Sequence, residues 1–129
     1  MGYYSEVMIS VTKKGYEKIK KDQEKFADYE LLKLFEVSNF EKNGKNFILL
    51  RTEETIKYYA EYEDIKQLEK TLSKLKDGYV FARFGEETLD VEFRNNAKIK
   101  ELLEPFDFIK EFSNNLNKEL NKEEEEEFE

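Results

Sequence analysis

Neither cysteine nor histidine occurs in the 129 residues. Without cysteine there is no disulfide framework and no thiolate metal site. Without histidine there is no imidazole ligand and no side chain that ordinarily exchanges protons near pH 7. Zinc enzymes, Ser-His-Asp hydrolases and Cys-His proteases each need one of these residue types, and the expectation is a protein that is not an enzyme. No run approaches the roughly 18 apolar residues of a membrane helix. No Gly-x-Gly-x-x-Gly or Gly-Lys-Ser/Thr loop offers a phosphate cradle. The start, Met1-Gly2-Tyr3-Tyr4-Ser5-Glu6, does not read as a signal peptide, and Met1-Gly2 lacks the Ser or Thr of a myristoylation site. An intracellular protein is expected.

What the chain does contain is charge and aromatic rings. Charged residues reach 40%, and there are 11 Phe and 8 Tyr. The charges are interspersed with apolar positions, which argues for a folded chain, and the rings fill a core efficiently. A domain of this length buries roughly 65–70% of its unfolded surface. The net charge of −8 is unevenly placed: residues 114–129 hold seven acids and two lysines, whereas residues 1–113 are only mildly acidic. A net negative surface does not neutralise phosphates, so no direct nucleic-acid binding is expected. A basic surface on another protein is the better match.

Hydrophobic periodicity divides residues 1–113 into the elements of a single α+β domain. Val7, Ile9 and Val11 alternate with Met8 and Ser10, a strand over 4–11. Thr12 can cap a helix over 13–27, with Tyr16, Ile19 and Phe26 on one stripe. Asn43-Gly44 lies between apolar runs at 31–41 and 46–52 and predicts a type I′ hairpin. Residues 53–62 fit either an irregular strand extension or a loop. Asp64 can cap a second helix carrying Ile65, Leu68, Leu72 and Leu75, which Asp77-Gly78 ends. Strands over 79–84 and 88–94 follow, joined by Gly85-Glu86-Glu87. A last helix over 97–113 is expected to break or kink at Pro105. Residues 114–129 form an acidic tail whose run Glu123 to Glu127 predicts disorder or a frayed helix. The order β-α-β-β-α-β-β-α points to a ferredoxin-like (split βαβ) antiparallel sheet with an added strand and a C-terminal helix.

Four acids, Glu86, Glu87, Asp90 and Glu92, form the best acidic cluster in the ordered part. On a turn and the outer face of a strand they could hold Mg²⁺ or Ca²⁺, and Asp90-x-Glu92-x-Arg94 echoes a metal-dependent nuclease. Alternating acids are more often the wet face of a strand, so neither a metal nor a cofactor is expected. As exposed carboxylates they suit a basic partner. Tyr58, Tyr59 and Tyr62 either form a stacking platform for a base or a recognition patch for a protein or, for two of them, fill the core beneath the second helix, with the core favoured. Tyr3 and Tyr4 pose the same choice. Arg51 and Arg83 lie in predicted strands, where a cation facing inward often meets a carboxylate or phosphate, but an exposed strand cation is the favoured reading.

The opening Gly2-Tyr3-Tyr4-Ser5-Glu6-Val7 resembles that of small phage and prophage proteins beginning Gly-Tyr-x-Ser-(Asp/Glu)-Val. Ile56-Lys57-Tyr58-Tyr59 is similar to an aromatic-Lys-Trp-Tyr segment of those proteins, with Tyr58 at the place of the Trp. Phe81-Ala82-Arg83-Phe84-Gly85-Glu86-Glu87 followed by Asp90-Val91-Glu92 fits the same pattern. The resemblance implies an accessory protein of a virus or mobile element, a class that includes inhibitors of bacterial defence such as anti-CRISPR proteins. The leading expectation is then a non-enzymatic inhibitor of a host or defence complex in the bacterial cytoplasm, acting as monomer or homodimer. The alternative is a nucleotide-binding or sequestering domain using Arg51, Arg83 and Tyr58. A metal-dependent nuclease using Asp90 and Glu92 stands third.

Overall fold

In the structure, a computed structural model, residues 2–26 and 29–108 are described. Five strands form one antiparallel sheet: β1 (Ser5–Thr12), β2 (Phe35–Lys42), β3 (Lys45–Thr52), β4 (Val80–Gly85) and β5 (Val91–Asn95). Their order is β2-β3-β1-β4-β5. The helices α1 (Lys13–Gln23) and α2 (Glu63–Ser73) share one face of the sheet. The chain is therefore a mixed α+β fold. Among the described residues no helix is long and apolar enough to cross a membrane.

β1 is the central strand, and its alternation serves two cores. Val7, Ile9 and Val11 meet Ile19 of α1 and Ile65, Leu68 and Leu72 of α2. Met8 points to the opposite face and joins Phe47, Val80, Ala82, Leu102 and Phe106. A strand buried on both faces must be apolar on both, and of its buried residues Ser5 and Ser10 depart from this. The Ser5 hydroxyl accepts from Arg83 at 3.0 Å, whereas that of Ser10 is buried with no hydrogen-bond partner among the described residues.

The hairpin between β2 and β3 turns at Asn43 and Gly44, with φ of 54° and 75°. Two positive angles make the turn type I′, whose twist matches the flanking strands. Thr12 caps α1 as expected, its hydroxyl accepting from the Gly15 N–H at 3.0 Å.

Several boundaries fall elsewhere than the periodicity places them. α1 ends at Gln23, whose side-chain amide donates to the Asp64 carbonyl at 2.9 Å and ties the two helices together. Phe26 thus lies beyond the helix rather than on its stripe. The residues before β2 form a 3₁₀ turn, Leu32–Leu34. Asp64 is not the cap of α2: that place is taken by Tyr62, whose carbonyl accepts from Lys66. Glu63 and Asp64 instead put negative charge on the first turn, where the helix dipole favours it. β5 begins at Val91 because residues 87–90 are taken up by the turn, where Asp90 N–H donates to the Glu87 carbonyl.

Within the described part of the expected helix over 97–113, residues Lys100–Phe106 form a 3₁₀ helix lying across the second face. Pro105 has no N–H for an i−4 bond, which bars a regular α-helix through this stretch. Residues 109–113 and the tail 114–129 lie outside the described residues.

Candidate functional site

The end of the sheet where β4 turns into β5 carries the candidate acids. Strand pairing sets Arg83 opposite Glu92 and Phe81 opposite Arg94, all on the helix-bearing face. Ser5 of β1 reaches the same place. Arg83 donates to Asp90 through Nη2 at 2.8 Å and Nη1 at 3.2 Å, to Glu92 at 3.3 Å and to the Ser5 hydroxyl at 3.0 Å. The Tyr3 hydroxyl donates to Asp90 and accepts from the Glu87 N–H. The Arg83 and Tyr3 hydrogen bonds hold the Asp90 carboxyl below its usual range. Bonding to Asp90 conversely raises the pKa of Arg83.

Gly85 makes this contact possible. A Cβ there would run into the Asp90 carboxylate and the Tyr3 hydroxyl. Glu86, on the same turn, accepts from the Tyr4 N–H at 2.9 Å.

Arg94 extends the network beneath α2. Its guanidinium lies 3.9 Å from the centre of the Phe81 ring and forms a two-pronged bond to Glu69 at 2.7 and 2.8 Å. This planar fork over an aromatic face is what arginine, and not lysine, provides. Nε is 3.1 Å from Glu92, an ion pair too oblique to count as a hydrogen bond. Burial alone would lower the pKa of Arg94 and raise that of Glu69. Their mutual hydrogen bonds reverse both, so the pair is held charged.

Tyr58 completes the group. Its ring packs against Phe81 with centroids 5.7 Å apart, and its hydroxyl donates to Glu69 at 2.7 Å. Burial and the charge on Glu69 push the Tyr58 hydroxyl far above its ordinary pKa.

The candidate residues thus divide. Asp90, Glu92 and Tyr58 belong to one chain of contacts from Tyr3 through Arg83 and Arg94 to Glu69. Tyr59 joins its edge, its hydroxyl accepting from the Tyr3 N–H at 2.6 Å. Tyr62 is apart, 40% exposed, with its ring 5.2 Å from that of Tyr59. Of the three tyrosines only Tyr58 packs against the core under α2.

Arg51 is not near Arg83. It pairs across from Met8, on the opposite face of the sheet, and donates to Glu6 at 3.0 Å. A nucleotide pocket built from Arg51, Arg83 and Tyr58 has no common wall. The oxygens of Asp90 and Glu92 that a metal would need already face guanidinium groups. Among the described residues no group of three or more acids is placed to hold an ion.

A different concavity lies on the other side of the 53–62 segment. That segment is neither strand nor helix: Ile56 makes a single two-bond bridge with Ser5, at 2.7 and 2.8 Å, and the rest is irregular. It walls a groove of about 630 Å³ against the chain leaving α1 and the start of α2. Phe26, Leu31, Leu34, Ile56, Tyr62 and Ile65 supply the apolar lining, and Glu30, Glu63 and Asp64 stand beside them with Lys57. Leu34 is 44% exposed. Glu53, Glu54 and Glu61 flank the same segment, exposed and free of ion pairs among the described residues.

The sequence reading missed this groove. The adjacent apolar residues Leu31, Leu32, Leu34 and Phe35 were a usable signal, since one strand cannot bury four neighbours on one side. Comparison with family models, curated proteins and solved structures returned no match.

Proposed function

We propose that this chain is a non-enzymatic accessory protein, of the phage or mobile-element kind that its opening motif resembles. In this reading it binds and inhibits a basic, nucleic-acid-handling host or defence protein in the bacterial cytoplasm, with CRISPR-type complexes foremost. The groove carries the proposal: an apolar floor with Tyr62 at its wall and an excess of carboxylates around it. Buried apolar anchors inside a charged rim are the usual anatomy of a protein-binding patch. Five acids against one lysine over residues 53–64 give the rim its sign. Asp90 and Glu92 contribute less to such a surface, because their partners lie within the chain.

We read the sheet as a ferredoxin-like plait. Setting β5 aside leaves β2-β3-β1-β4 with both helices on one face, which supports that reading. The fifth strand departs from the four-stranded form.

The test is affinity capture from bacterial lysate with the full chain beside its Leu34→Glu/Tyr62→Ala variant. One dominant partner with a basic surface, lost from the variant and at high salt, is the expected result. Equal capture by both proteins would remove the groove from the reading.

The groove volume also lies within the roughly 300–1,000 Å³ of small-molecule sites, which favours a ligand-sequestering domain as the second reading. Nucleotides or other metabolites that raise the unfolding temperature of the wild type and not of the variant would put it first. A nuclease built on Asp90 and Glu92 ranks below both, and activity lost on chelation would revive it.

A further inference from the structure

β2 is an edge strand of eight residues, and among the described residues no strand pairs with its outer side. Only Phe35 is buried and Phe40 half-buried, while Val37 is 40% exposed. Free edges of this length are ordinarily blunted by charged side chains, proline, a bulge or a covering element, and β2 carries the charges of Glu36, Glu41 and Lys42. β2 contains no proline, and its register with β3 runs unbroken from Phe35 opposite Thr52 to Lys42 opposite Lys45.

The type I′ turn determines which groups the edge offers. Such a turn hydrogen-bonds Lys42 to Lys45, and bonded pairs then alternate along the hairpin. Phe40, Ser38 and Glu36 therefore direct their N–H and C=O toward β3. Glu41, Asn39 and Val37 direct theirs outward.

We propose that this edge pairs antiparallel with β2 of a second copy about a two-fold axis at Asn39, joining two sheets into one of ten strands. Charge complementarity selects the register. With Asn39 opposite Asn39, Glu36 of each copy faces Lys42 of the other, so two opposite-charge pairs form. Sliding the axis to Glu41 would oppose two like carboxylates. Sliding it to Val37 leaves Lys42 without a partner.

In the Asn39 register Phe40 faces Ser38 of the second copy, which sets the two Phe40 rings on the diagonal. Phe40 already packs on Phe47 with centroids 5.3 Å apart, so the aromatic row would cross the axis. Lys42 now reaches Glu104 at 3.1 Å, but both side chains are nearly half exposed and such a pair is easily exchanged.

Sedimentation of the full chain over a range of concentrations tests this. Asn39→Pro deletes one outward N–H and no bond of the β2–β3 ladder. It should weaken association at least tenfold while leaving the far-ultraviolet circular dichroism unchanged. Lys42→Glu should also weaken it, and adding Glu36→Lys should restore it. The charge-swap pair decides the matter if the proline variant fails to fold. A wild type that stays monomeric at the highest concentration reached overturns the proposal. So does a dimer indifferent to both the proline and the charge swap.

Discussion

At the β4–β5 end of the sheet, the carboxylates that turn inward meet a guanidinium or a hydroxyl. Asp90 is held by Arg83 and Tyr3, Glu92 lies against Arg83 and Arg94, and Glu69 is gripped by Arg94 and Tyr58. Along residues 53–64 the acids are as dense, yet Glu53, Glu54 and Glu61 have no ion-pair partner among the described residues. Glu63 has only a loose contact with Lys66 at 3.4 Å, three positions on. The two regions use the same residue types for opposite ends. One consumes its charge in holding strands and helix together; the other leaves its charge for whatever approaches. Charge density along a chain therefore says little about charge available to a partner.

Breaking the first region should have the larger effect. Arg94→Ala removes the fork to Glu69 and the stack on Phe81, leaving a partly buried carboxylate with the Tyr58 hydroxyl but no cation. A loss of about 3 kcal/mol in urea unfolding is expected, at the lower end for a broken buried pair because both groups keep some solvent contact. A loss below about 1 kcal/mol would show that Glu69 simply returns to water. Gly85→Ala should come next. Its Cβ displaces Asp90 and Tyr3 together, at about 1–2 kcal/mol, and crystallography of the variant should show the Arg83–Asp90 bond broken.

Acid titration sharpens the contrast. Asp90 and Glu69 both have folded-state values below the ordinary carboxylate range. Their stabilisation is complete above an unfolded-state pKa of about 4 and fades as the pH falls through the lower folded values. Arg94→Ala removes the partner that keeps Glu69 low, so the variant should lose less stability than the wild type between neutral pH and acid. An equally steep profile in both would remove Glu69 from the account. At the alkaline end Tyr58 should stay protonated well past pH 10, followed by tyrosinate absorbance, until the fold opens.

The smallest effect on stability belongs to the second region. Glu54→Lys with Glu61→Lys should alter unfolding by no more than about 0.5 kcal/mol, because neither residue has an ion pair to lose. The same change should abolish capture of a basic partner. Unchanged capture would place the binding face elsewhere.

The sequence made the regular parts legible. Alternation in Val7, Ile9 and Val11, the Thr12 cap and the Asn43-Gly44 turn all act through neighbours in the chain, and each is where that chemistry puts it. The pairings of the charged groups were not legible, because they join residues 25 and 87 positions apart. Asp90 looks like an exposed acid until Tyr3 and Arg83 are brought to it. Residues 53–62 have no period because they follow the ends of other elements rather than a repeat of their own. The interruption expected at Pro105 was legible, but the tighter 3₁₀ winding of Lys100–Phe106 was not, because apolar spacing alone does not separate it from an α-helix.

The central place of β1 has a consequence for how the chain assembles. Its two neighbours are β3, about 40 residues later, and β4, about 75 residues later. This central strand therefore leaves the ribosome well before either neighbour, and its backbone N–H and C=O groups have no ladder to join until they follow. Closing loops of that length makes folding slow for a domain of this size.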